Sequence, residues 1–283
     1  MWRRKPQVAG YFYPEDRFIL RETIKNCFLS EIGPGRLPED VEFISNLRVR
    51  GLVSPHAGYI YSGPIAAWGY LRASQGIPPD TVIIMGPNHR GIGPEFSIFP
   101  EGIWETPLGE VGVDNEVAQF LMEELSFLKP SEQAHRGEHS IEVQIPFLQY
   151  IWKDKFSIVP IVTYSYNLEN LALLGEAISK IKKREILFIA SSDFSHYVNS
   201  LIAEKTDKFM IEYILKIEPE IFLREVIRNN ISICGAGAIT SLLCYLRNKK
   251  VKGRLLKYGN SGDVTRDYSE VVAYASISFE ENI

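Results

Sequence analysis

The sequence of 283 residues has very little cysteine: only Cys27, Cys234 and Cys244 are present. An odd and low cysteine count argues against a disulfide framework and is typical of a reducing compartment. No apolar run approaches the roughly 18 residues of a transmembrane helix, and the charged N-terminus is not followed by the apolar core of a secretory signal. These absences predict a cytoplasmic protein that has no membrane partner.

Basic charge and the common phosphate-binding motifs are also lacking. The formal net charge is −4 at pH 7, whereas proteins that bind nucleic acid usually carry a basic surface. The sequence contains no Walker loop, no dinucleotide-binding glycine fingerprint, no GxSxG elbow and no CxxC pair. We therefore expect no nucleic-acid partner, and the usual nucleotide-dependent, serine-hydrolase and zinc-ribbon classes do not apply.

What the sequence does contain is a regular alternation of apolar runs and helical patterns. Four runs are predicted to be buried strands, at residues 47–53, 81–85, 157–162 and 186–190. Six helical patterns lie between or after them, at residues 65–73, 115–125, 141–152, 168–181, 203–217 and 236–247. Strands that alternate with helices in this way form a mainly parallel sheet with helices on both faces.

Two segments interrupt this alternation. Residues 94–114 and 253–279 each contain short strand signals separated by a turn or polar loop, so both are predicted to supply antiparallel edge strands. The chain has no internal repeat, and the Pro/Gly-containing stretch at residues 32–38 is too short for an interdomain linker. We therefore predict one domain over residues 1–283, an α/β/α sandwich with a mainly parallel central sheet and antiparallel edge strands.

Four chemically competent side chains follow the predicted strands where these strands end. His56, His89, Asp193 and His196 each come a few residues after an apolar run. Because ligands of open parallel sheets bind in the crevice outside the carboxyl ends of the strands, these residues are expected to share one rim. Neutral imidazole is a common metal ligand, so His56 and His89 are candidate ligands. The alternative is that each is an ordinary turn histidine.

Cys234 lies just before the predicted helix at residues 236–247. A helix N-terminus lowers the pKa of a thiol and favours the thiolate, the form that binds metals or attacks electrophiles. The sequence therefore predicts a metal ligand or a nucleophile at Cys234. The alternative is a small buried side chain, which is how free cysteine usually behaves.

Two further motifs carry titratable groups. Asp193 stands three residues before His196, so it is expected to orient an imidazole or a water while His196 acts as general acid–base. The alternative is a helix start, with the aspartate as cap and the histidine solvated. The sequence EHS at residues 138–140 precedes another helical pattern, and capping by serine and glutamate is a sufficient explanation for it.

Six segments taken together resemble the Memo family. In chain order they are PHAGYIYSG (55–63), GPNHRG (86–91), EHSIEVQIPFL (138–148), SSDFSHY (191–197), ICGAGAI (233–239) and VVAYASISF (271–279). The resemblance covers nearly the whole chain, from about residue 6 to residue 280. The Memo fold is similar to that of the class III, LigB-type extradiol non-haem iron dioxygenases. This similarity implies an α/β/α sandwich with a metal pocket at one end of the sheet.

The resemblance also implies roles for individual residues. It makes His56, His89 and Cys234 the ligands of iron or copper, or of zinc, and Cys234 stands where the dioxygenases have a glutamate. It gives His196 the role of the dioxygenase acid–base histidine. Asp193 and His139 are implied to line the same pocket. Three tyrosines near the motifs are expected to supply aromatic walls, and they are Tyr59, Tyr61 and Tyr197.

The cysteine limits what can be carried over from the dioxygenases. Two histidines and a carboxylate leave open positions on Fe(II), whereas a thiolate makes a softer site that also accepts copper(I) or zinc and is itself oxidisable. Three functions therefore stay open. They are a metal-dependent redox enzyme, a non-catalytic module that binds a peptide or small molecule in the pocket, and a metal-independent enzyme in which Cys234 is the nucleophile and His196 or His56 is the base.

Overall fold

The computed structural model describes residues 2–282, and its largest feature is a mixed sheet of nine strands. The strands in chain order are β1 (Arg3–Arg4), β2 (Leu47–Ser54), β3 (Thr81–Pro87), β4 (Phe96–Ile98), β5 (Ile103–Thr106), β6 (Gly109–Gly112), β7 (Leu128–Pro130), β8 (Ser157–Thr163), β9 (Ile186–Ser191), β10 (His196–Val198), β11 (Lys252–Asn260) and β12 (Val271–Asn282). The large sheet has the order β10-β12-β2-β9-β3-β8-β4-β7, and β11 also pairs with β12.

The four central strands β2, β9, β3 and β8 are mutually parallel. At one end of the sheet β12 runs antiparallel to β2, and at the other end β4 runs antiparallel to β8. Strands β1, β5 and β6 form a separate three-stranded sheet. The carboxyl ends of the parallel strands therefore lie along one edge of the molecule, which is where loops from distant parts of the chain meet.

Helices cover both faces of the large sheet. In chain order they are α1 (Arg17–Leu29), α2 (Tyr59–Ser74), α3 (Asn115–Glu124), α4 (Glu132–Arg136), α5 (Ile145–Trp152), α6 (Leu168–Ser179), α7 (Ser200–Leu215), α8 (Pro219–Arg228), α9 (Ala236–Leu246) and α10 (Gly262–Thr265), with 3₁₀ turns at Pro38–Asp40 and Glu142–Gln144. One apolar cluster contains α1, α2 and α5, and a second contains α3 and α6 to α9. Successive side chains of β3 point to opposite faces of the sheet. Val82 and Ile84 pack in the first cluster, and Ile83 and Met85 pack in the second. These layers confirm the predicted α/β/α sandwich.

The predicted strands are confirmed, and each ends within two residues of its predicted bounds. The helix predicted at residues 65–73 begins earlier, at Tyr59, with Gly58 as its N-cap. Pro64 lies inside this helix. A proline at the sixth helical position has no N–H for the Ile60 carbonyl, and its ring crowds that carbonyl. The helix nevertheless continues, because most of the residues that follow are buried against the rest of the protein.

The two interrupting segments contribute strands in different ways. In residues 94–114, β4 joins the large sheet antiparallel to β8 as predicted, but β7 pairs with its other side, so β4 is not the outermost strand. The hairpin β5–β6 does not join the large sheet, because β1 pairs with β5 and draws the hairpin into the small sheet. Strand β12 is flanked by β11 and β2, so it lies inside the sheet and not at its edge. Within residues 2–282, no helix combines the length and the apolar character needed to cross a bilayer.

A buried ion pair ties the N-terminus to the loop that precedes α5. The Arg4 guanidinium lies 2.6 Å from the Glu142 carboxylate, and the two side chains are 3% and 0% exposed. Arg4 also donates to the carbonyl oxygens of His135 and Glu138. Burial of a charge is costly unless it is paired and hydrogen-bonded, so this contact fixes the position of the loop carrying Glu138.

We expect Arg4→Met to lower the free energy of unfolding by about 3–5 kcal/mol, because it leaves the Glu142 carboxylate buried without its counter-ion. Urea denaturation of the metal-free protein measures the change. Arg3→Met is the matched control, because the Arg3 side chain is 48% exposed in its contacts with Glu105 and Glu110, and it should change stability little. Equal, small effects of both substitutions would contradict the structural role given to Arg4.

Candidate metal centre

The candidate site lies at the carboxyl ends of three adjacent parallel strands. His56 follows β2 by two residues, His89 follows β3 by two residues and Asp193 follows β9 by two residues. The pairing of β2 with β9 sets Ser54 beside Ser191. Cys234 reaches the same place from the start of α9. His56, His89, Asp193 and Cys234 therefore lie together at this rim, and His196 follows at the start of β10.

His56, His89 and Cys234, which we call the His/His/Cys cluster, present one potential ligand atom each, and these atoms lie within 4.8 Å of one another. The Cys234 sulfur is 3.3 Å from His56 Nε2. The two imidazole rings stand nearly perpendicular, with their centroids 5.2 Å apart. His56 is 2% exposed, whereas Cys234 is half-buried and His89 is exposed. The cluster thus has a buried wall at His56 and an open side at His89.

Hydrogen bonds fix the tautomer of His56. Its Nδ1 lies 2.9 Å from Ser191 Oγ, and Ser191 Oγ donates its only proton to the Ser140 carbonyl at 2.5 Å. Ser191 must therefore accept from His56 Nδ1–H, which leaves Nε2 with a free lone pair directed to Cys234. Burial lowers the pKa of His56 well below its usual value, and the neighbouring histidines lower it further. His56 is accordingly a neutral imidazole.

Glu138 accepts a hydrogen bond from Nδ1 of His89, as Ser191 does from Nδ1 of His56. Its carboxylate accepts from His89 Nδ1 at 2.9 Å and from the backbone N–H groups of His89, His139 and Ser140 at 2.8–2.9 Å. Burial acts to raise the Glu138 pKa, but these hydrogen bonds and the neighbouring histidines outweigh it and hold the pKa well below its ordinary value. An ionised carboxylate only accepts, so His89 carries a proton on Nδ1. Burial acts to lower the His89 pKa, but the hydrogen bond and the charge of Glu138 outweigh it and raise the pKa, so Nε2 is free in the neutral form of the ring.

This carboxylate was missed as a functional residue by the sequence analysis, which explains Glu138 as a helix cap. The contact joins two residues 49 positions apart in the chain, and sequence spacing does not show it. A signal was nevertheless present. Metal-binding histidines nearly always donate their second ring N–H to a carboxylate or a carbonyl, so a glutamate in a matching motif was a candidate partner.

The predicted pKa change at Cys234 is wrong in direction. Burial raises the pKa of the thiol, and the Asp193 carboxylate raises it further, although the Asp193 N–H donates to the sulfur at 3.2 Å. The local dipole of α9 is therefore outweighed by the surroundings that the fold supplies. Without a metal, Cys234 is a protonated thiol at neutral pH.

We expect Cys234 in the metal-free protein to react slowly with iodoacetamide at neutral pH, because only the thiolate is nucleophilic. Cys27 and Cys244 should react slowly too, since burial raises their pKa values to about 12 and about 11. Mass spectrometry after timed alkylation measures each site, and protein unfolded in urea gives the ordinary rate. Rapid labelling of Cys234 alone in the folded protein would show a thiolate and contradict the assignment.

Asp193 and His196 are held by the backbone and not by each other. The Asp193 carboxylate accepts from the backbone N–H of His56 at 2.8 Å, so it fixes the turn that carries this ligand. Burial raises the Asp193 pKa to about 6, against the effect of that hydrogen bond. His196 Nδ1 lies 2.8 Å from the Ser232 carbonyl, which can only accept. His196 therefore has a free Nε2, as a general base requires.

The structure brings His139 to the cluster, whereas Tyr59 and Tyr197 lie in different surroundings. The His139 ring stacks on His89 with centroids 4.7 Å apart, and it stands edge-on to His56 at 5.4 Å. Tyr197 is 74% exposed beside His196 and has a positive φ of 56°. Tyr59 is 3% exposed and donates its hydroxyl to the Val143 carbonyl at 2.6 Å. Tyr59 thus packs in the core below the cluster and does not form part of its wall.

The His/His/Cys cluster fits a single transition-metal ion. With metal–nitrogen distances of about 2.0–2.1 Å and a metal–sulfur distance of about 2.3 Å, donor atoms around one tetrahedral ion stand roughly 3.3–3.7 Å apart. The separation of 3.3 Å between Cys234 Sγ and His56 Nε2 is already in this range, and all three atoms lie within 4.8 Å of one another. His56 keeps Nε2 unprotonated, as metal binding demands, because its pKa is lowered, and the neutral form of His89 offers Nε2 in the same way.

A cavity of about 320 Å³ opens beside His89 and Cys234. It lies between the loop after β3, the loop after β8 and the start of α9. Tyr164 and Tyr166 stand at this cavity and are 47% and 50% exposed. A small molecule in the cavity would contact two residues of the His/His/Cys cluster directly.

Comparison with known proteins gives matches over nearly the whole chain. The family profile described as Memo-like protein matches residues 4–278. A MEMO1 family protein of Desulfurococcus amylolyticus is 42% identical over 282 residues, which cover 99% of both chains. A MEMO1 family protein of Thermotoga maritima is 43% identical over 278 residues, 97% of this chain and 98% of that protein.

A solved structure shows a similar fold at low sequence identity. The crystal structure of the uncharacterized protein JW3007 from Escherichia coli K12 superposes with a TM-score of 0.53 and 14% sequence identity, over 82% of this chain and 99% of that chain. At this identity the similarity concerns the fold alone. It supports the α/β/α architecture in which the carboxyl ends of parallel strands carry the candidate site.

Proposed function

The chain belongs to the Memo family, and we propose that it is a redox enzyme whose His56, His89 and Cys234 bind one iron or copper ion. The observation that carries the proposal is the convergence of three ligand atoms within 4.8 Å. The hydrogen bonds of Ser191 and Glu138 engage Nδ1 of both imidazoles, which leaves Nε2 of each as the nitrogen available to a metal. Such outer partners are typical of metal sites and are not needed by ordinary turn histidines.

The donor set favours a metal of intermediate softness. Two imidazoles and one thiolate suit iron, copper and zinc, whereas hard ions such as magnesium or calcium prefer oxygen ligands. An iron or copper ion held there supplies one-electron chemistry and a Lewis acid beside the cavity. Because the Cys234 pKa is raised, binding of a metal by the thiolate displaces a proton, and metal affinity should increase with pH.

Other residues of the site have roles that do not depend on the identity of the metal. His196 keeps a free Nε2 and is the proposed proton acceptor and donor for the substrate. Asp193 holds the backbone of His56 in place, and Glu138 orients His89. His139 stacks on His89 and packs against one face of its ring. Tyr197 lies exposed beside His196, where it can contact a substrate.

A second candidate function is a non-catalytic module that binds a peptide or small molecule. The cavity beside His89 and Cys234, with the half-exposed Tyr164 and Tyr166, supports this candidate. A metal-independent cysteine nucleophile has less support. The pKa of Cys234 is raised and that of His56 is lowered, so the shifts oppose the thiolate–imidazolium pair that such enzymes use.

Anaerobic titration of the metal-free protein tests the proposal. We expect one Fe(II) or Cu(I) ion per chain, with release of protons, followed by a reversible spectral change on oxidation and reduction. Binding of metal without any redox response or turnover would favour the non-catalytic module. Failure to bind any of iron, copper or zinc after reconstitution would contradict the metal site itself.

A further inference from the structure

Strand β11 lies at the edge of the large sheet, and its outer side has no partner strand. Its nine residues pair antiparallel with β12, and no strand in the described part of the chain pairs with the other side. Residues 252–258 make no backbone hydrogen bond beyond this ladder within residues 2–282. Because alternate residues of an antiparallel strand direct their N–H and C=O groups away from the partner, β11 presents a row of unpaired backbone groups.

The segment around this edge is strongly basic. Residues 247–257, RNKKVKGRLLK, contain six basic and no acidic side chains, although the whole chain has a formal net charge of −4. Arg247 pairs with Glu220, and Arg254 pairs with Glu280. The other four basic side chains have no ion-pair partner in the described part of the chain, and they are Lys249, Lys250, Lys252 and Lys257. The free edge therefore lies in a surface with excess positive charge.

Three of the basic side chains form a row on one face of β11, and they are Lys252, Arg254 and Lys257. They stand opposite residues of β12 that are two positions apart, and such residues point to the same face of a sheet. The register shifts between Leu255 and Lys257, which keeps the third basic side chain in the row. Lys252 and Arg254 are exposed, and Lys257 is half-buried. A strand added to the free edge would have one set of its side chains beside this row.

The opposite face of β11 is less polar. Leu255 and Tyr258 stand opposite residues of β12 that share that other face. The Tyr258 hydroxyl donates to Asp207 of α7 at 2.7 Å, so α7 covers this end of the face. Leu255 is still 37% exposed. The alternate side chains of an added strand would therefore meet an apolar neighbour at Leu255.

The charge of the row determines which strand fits. Two copies of the chain that paired through β11 would place like charges beside one another, and charged edge strands prevent such pairing. Opposite charges on neighbouring strands are favourable instead. A nucleic acid would also be attracted by the charge, but it has no row of N–H and C=O groups that can extend the ladder. The unpaired backbone and the basic side chains together favour an acidic polypeptide.

We propose that the free edge of β11 binds an extended acidic segment of a partner protein by strand addition. The acidic side chains of the segment contact Lys252, Arg254 and Lys257, and apolar side chains at the alternate positions contact Leu255. Backbone hydrogen bonds supply the affinity in this mode of recognition, and the alternating side chains supply the specificity. The surface contains no residue of the His/His/Cys cluster, so it does not depend on the proposed function.

Three fluorescein-labelled peptides separate strand addition from attraction by charge alone. GEVEVEVEG alternates acidic and apolar residues, GEPEVEPEG has the same charge but two prolines, and GKVKVKVKG has the opposite charge. Fluorescence anisotropy with the full chain at physiological ionic strength measures each affinity. We expect GEVEVEVEG to bind with a Kd below about 1 mM and at least about 10-fold more tightly than GEPEVEPEG, because proline lacks the backbone donor and fixes φ. GKVKVKVKG should not bind.

Lys252→Glu should weaken binding of GEVEVEVEG by about 5–10-fold, because it places a like charge beside the acidic side chains. Lys182→Glu is the matched control, since Lys182 is an exposed lysine in the loop after α6, and it should leave the affinity unchanged. Hydrogen exchange followed by NMR locates the bound peptide. The backbone N–H groups of residues 252–258 that face outward should exchange more slowly in the complex.

Equal affinities for GEVEVEVEG and GEPEVEPEG would overturn the proposal, because charge alone would then explain the binding. Absence of binding up to about 1 mM would overturn it too, as would an equal loss of affinity in Lys252→Glu and Lys182→Glu. A nine-nucleotide oligothymidylate that binds more tightly than GEVEVEVEG would assign the basic surface to nucleic acid instead. The expected order of affinities, together with slower exchange in residues 252–258, supports strand addition at β11.

Discussion

Cys234→Ser should lower the affinity for the proposed iron or copper ion by more than about 100-fold. Loss of a residue that only orients a ligand typically costs about 10–100-fold in metal affinity, and loss of a ligand itself should cost more. The substitution keeps the size of the side chain and replaces a soft sulfur ligand by a hydroxyl, which does not ionise near neutral pH. It also removes the sulfur atom that lies 3.3 Å from His56 Nε2. Competition with a chromophoric chelator measures the affinity, and the thiolate-to-metal charge-transfer band of the oxidised protein should vanish.

The other two cysteines provide the controls for this experiment. Cys27 is buried beside Tyr59, and Cys244 lies within α9, so neither joins the cluster. Cys27→Ser and Cys244→Ser should therefore retain metal and its charge-transfer band. If Cys234→Ser also retained both, the sulfur would not be a ligand and a different donor set would be required.

Glu138→Gln should produce the second large effect, because one carboxylate serves four hydrogen-bond donors. The amide turns one acceptor into a donor that faces these N–H groups. We expect about a 10–100-fold loss of metal affinity, since His89 loses its orientation and its preferred tautomer. We also expect the metal-free protein to lose about 3 kcal/mol of its unfolding free energy, because donors remain buried without an acceptor. Chelator competition and urea denaturation measure the two effects.

The stability effect of Glu138→Gln should depend on pH in a defined direction. The pKa of Glu138 is lower in the folded protein than its ordinary value of 4.5. Its contribution to stability is therefore fully present above that ordinary value and is lost as the pH falls through the depressed folded value. The difference between wild type and variant should narrow in strongly acidic solution. It should also become smaller as the pH rises through the His89 pKa, because Glu138 raises that pKa and the variant lacks this effect. Glu132→Gln is the control, because this side chain is 40% exposed and pairs with Arg136. A difference that stays unchanged into strongly acidic solution would contradict the depressed pKa of Glu138.

The fold could be predicted largely because buried parallel strands have a distinctive pattern. Every residue of β3, from Thr81 to Pro87, is buried, and a continuous apolar run of this length followed by a helical pattern indicates a strand of an α/β sheet. The hairpin β5–β6 was placed in the wrong sheet because its partner is Arg3–Arg4, about 100 residues earlier. Pairing over such distances leaves no periodic signal in a short segment.

The ligand atoms were predictable in part, and their surroundings were not. His56 and His89 stand at strand ends, and the topology of parallel sheets alone brings such positions together. The acidity of Cys234 was misjudged because a local dipole rule ignores the Asp193 carboxylate and the burial that distant segments impose. Glu138 was assigned to a helix cap because its partner His89 lies 49 residues away. The acidity of Cys234 and the role of Glu138 therefore depend on burial and on contacts between distant segments, which sequence spacing does not show.

X-ray absorption spectroscopy of the metal-loaded protein tests the central claim most directly. The account predicts one sulfur scatterer near about 2.3 Å and imidazole nitrogen scatterers near about 2.0–2.1 Å from one ion per chain. The sulfur contribution should disappear in Cys234→Ser, and an imidazole contribution should disappear in His89→Ala. A first shell made only of oxygen and nitrogen, or one that is unchanged in both variants, would contradict the His56, His89 and Cys234 site.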